Sequence, residues 1–291
     1  MIEIVEPGPL ATVQDLGRTG HAGIGVGVSG AADRGSLRLA NRLVGNAEGA
    51  AAIETTFGGL LLRPDRDVAV AVTGADSQLT VDGRAEPVNT VLRVRAGASL
   101  RIGVPTRGLR GYVAVRGGIE VEPVLGSRAT DVLSGLGPPR LAAGTRLPVG
   151  PPPADFPVVD QAPVRSARDG DLELSVVLGP RADWFTEHAV STLLGEAFVA
   201  SADLNRVGMR LDGPELPRSR TEELPSEGMA LGSLQVPPSG RPTLFLADHP
   251  VTGGYPVIAV VVAADVDRAA QARPGQRVRF RQVTAGLPTK R

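Results

Sequence analysis

The sequence contains no cysteine. Disulfides, thiolate metal sites and a cysteine nucleophile are therefore excluded, and nothing calls for an oxidising compartment. Lysine is almost as scarce: of 31 basic residues only Lys290, next to the C-terminus, is a lysine. A Walker A loop, a Schiff-base lysine and a biotin-carrying lysine each need an internal lysine, so all three are excluded. An excess of one charge is missing too. The formal net charge is zero, which recommends neither nucleic acid nor an anionic membrane as a partner. No window approaches the ~18 uninterrupted apolar residues of a membrane span. The opening MIEIVEPGPL lacks the basic and then apolar segments of a signal peptide. These absences predict a cytoplasmic protein. His21, His188 and His249 have no metal-ligand spacing, and no metal site is expected.

What is present concentrates first in residues 11–46. From Thr12 to Ser29 the chain is glycine-rich and carries Asp15, Arg18 and His21, the composition of an irregular loop holding polar side chains. A helix should follow: Asp33 can cap it, Leu37, Leu39, Leu43 and Val44 supply an apolar stripe, Arg34, Arg38 and Arg42 face water, and Gly45 can end it with a positive φ. A loop leading into a capped helix start is a natural anion site, with ligand-free turns as the alternative. Gly25, Gly27 and Gly30 spell a dinucleotide fingerprint, but no buried strand precedes them and no strand-helix alternation follows, so that reading fails.

Beyond the helix, short Val-, Leu- and Ile-rich runs alternate with turn residues: 60–64, 67–76, 78–88, 90–104 and 111–121, with Asp82-Gly83 and Ala96-Gly97 at hairpin positions. Residues 150–164, GPPPADFPVVDQAPV, read as a linker or as a surface strap within one domain. A second helix is expected from about Asp183 to Leu194, with Trp184, Phe185 and Leu193 or Leu194 on its core face. Strand patterns resume in SLQVPPSG, TLFLAD, YPVIAVVVAAD and QRVRFRQV. Gly111-Tyr112 with Ala143-Gly144, and Gly254-Tyr255 with Pro274-Gly275, form a faint internal repeat. The 291 residues are therefore read as a mainly β protein of two similar β-rich domains with a few short helices: 1–150, a proline-rich linker at 151–164, and 165–291.

Polar residues fall at strand ends and in glycine-rich loops, where a rigid β scaffold carries function. They are Asp15, Arg18, Ser29, Asp33, Asn41, Glu54, Asp76, Arg116, Ser127-Arg128, Asn205-Arg206, Glu227, Gln235, Asp248-His249 and Tyr255. Carboxylates, arginines and amides can orient a small polar substrate, polarise a carbonyl or move protons; for each, a cap or loop hydrogen bond is the competing role. Ser29 lacks a nucleophile-elbow context, which argues against a serine-hydrolase triad with His249.

Taken in order, Thr12-Val-Gln-Asp15-Leu-Gly-Arg18, Val28-Ser-Gly-Ala-Ala-Asp33, Leu39-Ala-Asn41-Arg-Leu-Val-Gly-Asn46, Thr73-Gly-Ala-Asp76, Val124-Leu-Gly-Ser-Arg128, Pro225-Ser-Glu-Gly228 with Gln235-Val-Pro-Pro, and Thr252-Gly-Gly-Tyr-Pro256 resemble the KipA family. That family is also called allophanate hydrolase subunit two, the biotin-dependent carboxyltransferase-like family, or the C subunit of the ATP-dependent 5-oxoprolinase. The resemblance implies two cyclophilin-like β-barrel domains working with a KipI-like subunit. In urea amidolyases the matching region belongs to a carboxyltransferase domain. In stand-alone bacterial members the implied activity is ATP-dependent opening of 5-oxoproline, a cyclic amide, with a further LamB/YcsF-like subunit. ATP with magnesium would serve the complex; biotin on a separate carrier belongs to the carboxyltransferase alternative, and a KipA-like regulatory binding protein is a third reading. The chain departs from the family at Asp203-Leu-Asn205-Arg206-Val-Gly-Met, where relatives often read Ser-Asp-Arg-Met-Gly or Ser-Asn-Arg-Met-Gly.

On that resemblance, Asp15, Asp76, Glu227 and Tyr255 are expected as the catalytic set, the three carboxylates handling protons or magnesium and Tyr255 orienting substrate. Arg18, Arg116, Arg128 and Arg206 would bind carboxylate or phosphate, with Ser29, Asp33, Asn41, Gln235 and Asp248 also at the binding site.

Overall fold

A computed structural model describes residues 1–164 and 170–284. They fall into two compact units: Met1–His21 with the chain from Val28 to residue 164, and Ala22–Gly27 with the chain from Gly170 to residue 284. The first holds β1 (Ile2–Pro7), β2 (Leu10–Gln14), α1 (Arg34–Leu43), β3 (Ala52–Thr56), β4 (Leu60–Pro64), β5 (Val68–Val81), β6 (Arg84–Glu86), β7 (Val91–Val94), β8 (Leu100–Val115) and β9 (Arg146–Leu147). All nine strands join one sheet that curls into a half-barrel, in the order β2-β3-β8-β4-β1-β9 with β5 on β8 and β6 and β7 on β5.

The long pair β5 and β8 organises this unit, and its period-2 alternation explains both faces. Val70, Val72, Val113 and Val115 point into the larger apolar cluster, whereas Ala71, Tyr112 and Ala114 point to the other side. The small residues on that second face let α1 lie close, burying Leu37 and Leu43 against Ala52, Ala71 and Ala114. Each buried leucine contributes about 1.5–3 kcal/mol. Asp33 caps α1 through a 2.9 Å bond from Ser36 N, and Gly45 has φ +75°, as the sequence predicts.

The runs at 67–76 and 78–88 do not form two strands divided at residue 77. They make one strand to Val81 and then a hairpin, because register shifts between Gly74 and Leu79 absorb the polar residues without ending the pairing. Asp82 (φ +48°) and Gly83 (φ +77°) make the hairpin turn. Similarly, the runs at 90–104 and 111–121 share the single strand β8. The proline-rich residues 151–164 lie on this unit: Val91 N donates to Asp160 O at 2.7 Å and Ala162 N to Asn89 O at 2.9 Å.

The second unit holds β10 (Leu172–Leu178), α2 (Glu187–Gly195), β11 (Ala197–Leu204), β12 (Gly208–Asp212), β13 (Glu227–Gly228), β14 (Ser233–Gln235), β15 (Thr243–Phe245), β16 (Thr252–Gly253), β17 (Val257–Val261), α3 (Ala263–Ala269) and β18 (Arg277–Gln282). Seven strands close a barrel in the order β10-β17-β14-β15-β12-β11-β18, and β13 pairs with β16 as a separate ribbon. The protein is thus mainly β, a half-barrel and a closed barrel with short helices. The barrel interior is filled by Leu174, Phe198, Met209, Leu211, Leu234, Leu244, Ile258 and Phe280.

The helix expected from Asp183 starts later. Asp183 sits in a short 3-10 turn and pairs with Arg220 at 3.1 Å, Phe185 is extended, and Thr186 Oγ1 accepts from Ala189 N at 3.1 Å to cap α2. The run 255–265 is not one strand: β17 ends at Val261, and α3 follows, anchored by a 2.7 Å bond from Ser175 N to the Asp265 carboxylate. Of the faint repeat, the turns survive. Gly144 and Gly275 have φ +81° and +83°, with matching four-residue closures Thr145 N to Ala142 O and Gln276 N to Arg273 O. The tyrosines differ: Tyr112 is fully buried and Tyr255 is exposed.

The start of α1 is fastened by Tyr112, whose hydroxyl accepts from Asp33 N and donates to Glu54 Oε2, both at 2.8 Å. Burial first, then the neighbouring Glu54 and Asp33 charges, pushes this phenol far above its ordinary range, so it remains a neutral donor. Tyr112→Phe is expected to lower stability by about 1–3 kcal/mol by stripping a buried partner from both groups, read as a fall in the urea midpoint; an unchanged midpoint would contradict this role.

Candidate binding groove and the polar loops

In the first unit the sequence-predicted polar side chains other than Asp76 each bond at least one backbone group of that unit, and Asp15, Arg18, Ser29, Asp33, Asn41 and Glu54 are buried. Asp15 accepts from Gly17 N at 2.7 Å, Ser127 Oγ at 2.6 Å and Arg128 N at 2.6 Å, which leaves a carboxylate used as a loop brace. Arg18, 1% exposed, donates to Val124 O at 3.4 Å and to Ala129 O. Ser29 Oγ lies 3.4 Å from Thr130 O, at a φ of +55°. Asp15, Arg18, Ser29 and Arg128 are therefore brought together around residues 124–130. The Arg128 side chain itself reaches Val121 O at 2.7 Å and Glu120 at 2.7 Å.

Others lie apart from that group. Asn41 donates to Glu48 O at 3.2 Å and Ala50 O at 2.7 Å, tying the exit of α1. Asp76 sits half-buried at the β5 register shift. Arg116 clasps the proline-rich strap, bonding Val44 O at 2.8 Å and Asp155 O at 2.9 Å with its guanidinium 4.3 Å from the Phe156 ring centre.

In the second unit, Arg206 occupies the turn between β11 and β12, and its guanidinium meets Asp248 with two bonds of 2.9 and 2.8 Å; both side chains are 0% exposed. Asn205 Oδ1 accepts from Val207 N at 2.7 Å and Gly208 N at 3.2 Å, shaping the same turn. Beside it, the outer face of the barrel opens into a groove of about 540 Å³ that includes Arg210, Gln235, Thr243, Phe245 and Tyr255. A neighbouring hollow of about 580 Å³ shares Arg210, Thr243 and Phe245 and adds Asn205.

Strand alternation builds the groove floor: Met209, Leu211, Leu234 and Leu244 point inward, so Arg210, Gln235 and Thr243 point out. Gln235 is nevertheless only 7% exposed, because its Nε2 donates to Tyr255 O at 3.0 Å beneath the β13–β16 ribbon's loop. Gly253 packs closely over it: a Cβ there would stand 2.5 Å from that same nitrogen and from Met229 Cε, so those two side-chain ends would have to shift. Of the sequence-predicted residues, the groove thus gathers Gln235 and Tyr255. Arg210 is a groove residue that the sequence reading does not single out, although the alternation in Gly208-Met-Arg210-Leu-Asp212 is a signal that could have found it.

Glu227 on the ribbon is held by Arg181, whose Nε lies 2.9 and 3.0 Å from its two oxygens. That bonding keeps the Glu227 carboxyl below its ordinary range and raises the Arg181 guanidinium, so Glu227 is ionised at neutral pH. Among the described residues no group of three or more histidines or carboxylates is arranged for a metal ion, and no helix is long and apolar enough to cross a membrane.

A half-barrel unit and a closed-barrel unit, the latter with an arginine- and glutamine-lined groove, define a mainly β protein of the carboxyltransferase-domain kind. Residues 24–282 match the family described as carboxyltransferase domain, subdomain A and B, and the chain belongs to that family. It is similar to the 5-oxoprolinase C subunit of Escherichia coli strain K12, 36% identical over 285 residues covering 97% of this chain and 91% of that protein. Its likeness to the 5-oxoprolinase C subunit of Haemophilus influenzae is 33% over 98% and 92%. A urea amidolyase of Lachancea kluyveri is 31% identical over 96% of this chain but only 17% of its own length. Among solved structures, TTHA0988 superposes with a TM-score of 0.86 at 37% identity over 96% of this chain and 55% of that one. The K. lactis urea amidolyase gives 0.91 at 30% identity, over 97% and 19%. The chain therefore spans about half of TTHA0988 and about a fifth of that amidolyase.

Two measurements check this geometry. Arg206→Ala should cost about 3–5 kcal/mol by leaving Asp248 buried without its partner, whereas an apolar pair, Arg206→Met with Asp248→Leu, should recover most of the loss in the same thermal or urea titration. For Glu227, the folded pKa lies below the unfolded one, so the stability its pair contributes is present above the unfolded value and lost as pH falls through the lowered one. Carboxyl NMR titration should place Glu227 below the ordinary glutamate value and return it there in Arg181→Ala; an unmoved titration would remove the assignment.

Proposed function

We propose that this chain is the C-subunit component of an ATP-dependent 5-oxoproline amidohydrolase, acting with a KipI-like and a LamB/YcsF-like subunit. The observation that carries the reading is near full-length similarity, over 97% of this chain and 91% of the relative, to a protein named as the C subunit of 5-oxoprolinase. Urea amidolyases, by contrast, are matched over only a small share of their length.

We assign the nucleotide to a partner subunit, because the anion site that the sequence offers is already taken. The helix start that could receive a phosphate, that of α1, is filled by the Asp33 carboxylate, which accepts from Ser36 N at 2.9 Å and Ser36 Oγ at 2.7 Å and would repel a second anion. This chain's contribution is then substrate positioning. The groove supplies the Arg210 and Arg241 guanidiniums, several hydroxyls, the Gln235 amide and the Tyr255 ring, with the Asp203 and Asp212 carboxylates on its wall, a set that can hold a small polar molecule. Bond breaking falls to the assembled complex.

The family match to a carboxyltransferase domain favours a second reading, in which the same chain receives carboxybiotin from a separate carrier. Mixing the purified chain with its two partners and measuring ATP-dependent glutamate release from 5-oxoproline separates the two. Turnover that disappears when this chain is omitted is the expected result. A complete, folded mixture with no turnover, together with retention of a biotinylated carrier by this chain, would replace the hydrolase reading with carboxyl transfer.

A further inference from the structure

The groove's floor has an order that the register fixes. In β12, β15 and β14, Arg210 is paired with Thr243, and Thr243 with Gln235, so three polar side chains stand in one row across three neighbouring strands on the outward face. Adjacent strands are about 4.8 Å apart, which sets the row at roughly 10 Å from guanidinium-bearing to amide-bearing backbone. At one end is a planar cation with paired donors, suited to a carboxylate. At the other is a primary amide, which presents a donor and an acceptor and so complements another amide. Phe245, 8% exposed, and the half-exposed Tyr255 give the row apolar sides.

The two ends differ in readiness. Gln235 is oriented in advance by its bond to Tyr255 O at 3.0 Å. Arg210 is not: it meets Asp203 at 3.4 Å, with side chains 71% and 73% exposed. An ion pair so long and so solvated is weak, and an incoming carboxylate can displace it.

We propose that this row is a recognition site for a small molecule carrying a carboxylate at one end and an amide at the other, with Arg210 gripping the carboxylate, Gln235 the amide and Thr243 the atoms between them. The proposal rests on the amidohydrolase reading only for the choice of ligand, since 5-oxoproline has both groups on one five-membered ring; the site itself follows from the register. It further assigns Asp203 as a competitor that occupies Arg210 until ligand arrives.

The test is calorimetric titration of the chain alone with three probes: 5-oxoproline, 2-pyrrolidone, which lacks the carboxylate, and proline, which lacks the amide carbonyl. 5-Oxoproline should bind at least tenfold more tightly than either fragment. Arg210→Ala, a substitution at an exposed position, should erase the preference over 2-pyrrolidone; Arg210→Lys should restore only part of it, and Asp203→Ala should tighten 5-oxoproline severalfold. Thr243→Val gives a milder loss at a second, half-buried position. Absence of 5-oxoproline binding to the folded wild-type chain, or equal affinity in wild type and Arg210→Ala, would overturn the site. The site and the activity fail separately. Glutamate release by the reconstituted complex with an unchanged KM in Arg210→Ala would sink the row and leave the amidohydrolase standing. Selective binding that depends on Arg210, in a complex without turnover, would keep the row and sink the amidohydrolase.

Discussion

The buried pair Arg206–Asp248 is the constraint on which the second unit's functional face depends. Neither charge touches solvent, so each requires the other, and the two-point geometry admits one orientation of the turn between β11 and β12. Two backbone bonds reinforce it: Asp248 N donates to Arg206 O and Leu246 N to Val207 O, both at 2.9 Å. With that turn fixed against the chain leaving β15, the outward residues of β12 and β15 are fixed as well, and they are the floor of the groove. The rim is looser. Arg210–Asp203 and Arg241–Asp212 are long, exposed pairs of 3.4 and 3.3 Å, contributing about 0–1 kcal/mol each. A rigid floor with exchangeable rim charges is what a site needs if a ligand is to replace an internal partner at little cost.

Much of the fold is legible in the sequence because local chemistry and tertiary context agree. The Asp33 cap, the Gly45 ending, the Asp82-Gly83 hairpin and the strand at 60–64 are all dictated within a few residues. The errors lie where a distant partner decides. Glycines and polar residues at 74–79 read as breaks, yet β8 continues to pair with β5 across them through shifts in register. Likewise Asp183 has the composition of a cap, but Arg220 takes its side chain and Thr186 does the capping.

The site is less legible, and for a physical reason. Residue type announces that Asp15, Arg18, Asn41 and Arg116 can hold polar partners; it does not say whether those partners are a ligand or the protein's own main chain. In the first unit all four side chains bond the protein's own backbone, while Arg18 Nη1, also buried, has no hydrogen-bond partner among the described residues. In the second the structure leaves Gln235 and Tyr255 facing a groove, and it adds Arg210, which a search confined to loops misses because it lies in the middle of a strand. Alternation carries the missing information: a charged residue between Met209 and Leu211, both in the barrel core, must stand on the outer face.

The scarcity of lysine then acquires a structural meaning. Arg18, Arg110 and Arg206 are the largest fully buried side chains. Arg18 reaches carbonyls at Val124 and Ala129, Arg116 reaches Val44, Pro153 and Asp155, and Arg206 takes a carboxylate with two nitrogens. Each task needs several donors fixed in one plane. An ammonium offers its three donors from a single point and is more strongly hydrated, so it would satisfy fewer of these acceptors and resist burial more. Loops stitched in this way therefore select arginine at those positions in both units, and the same planar fork, left exposed at Arg210, is the group best matched to a ligand's carboxylate.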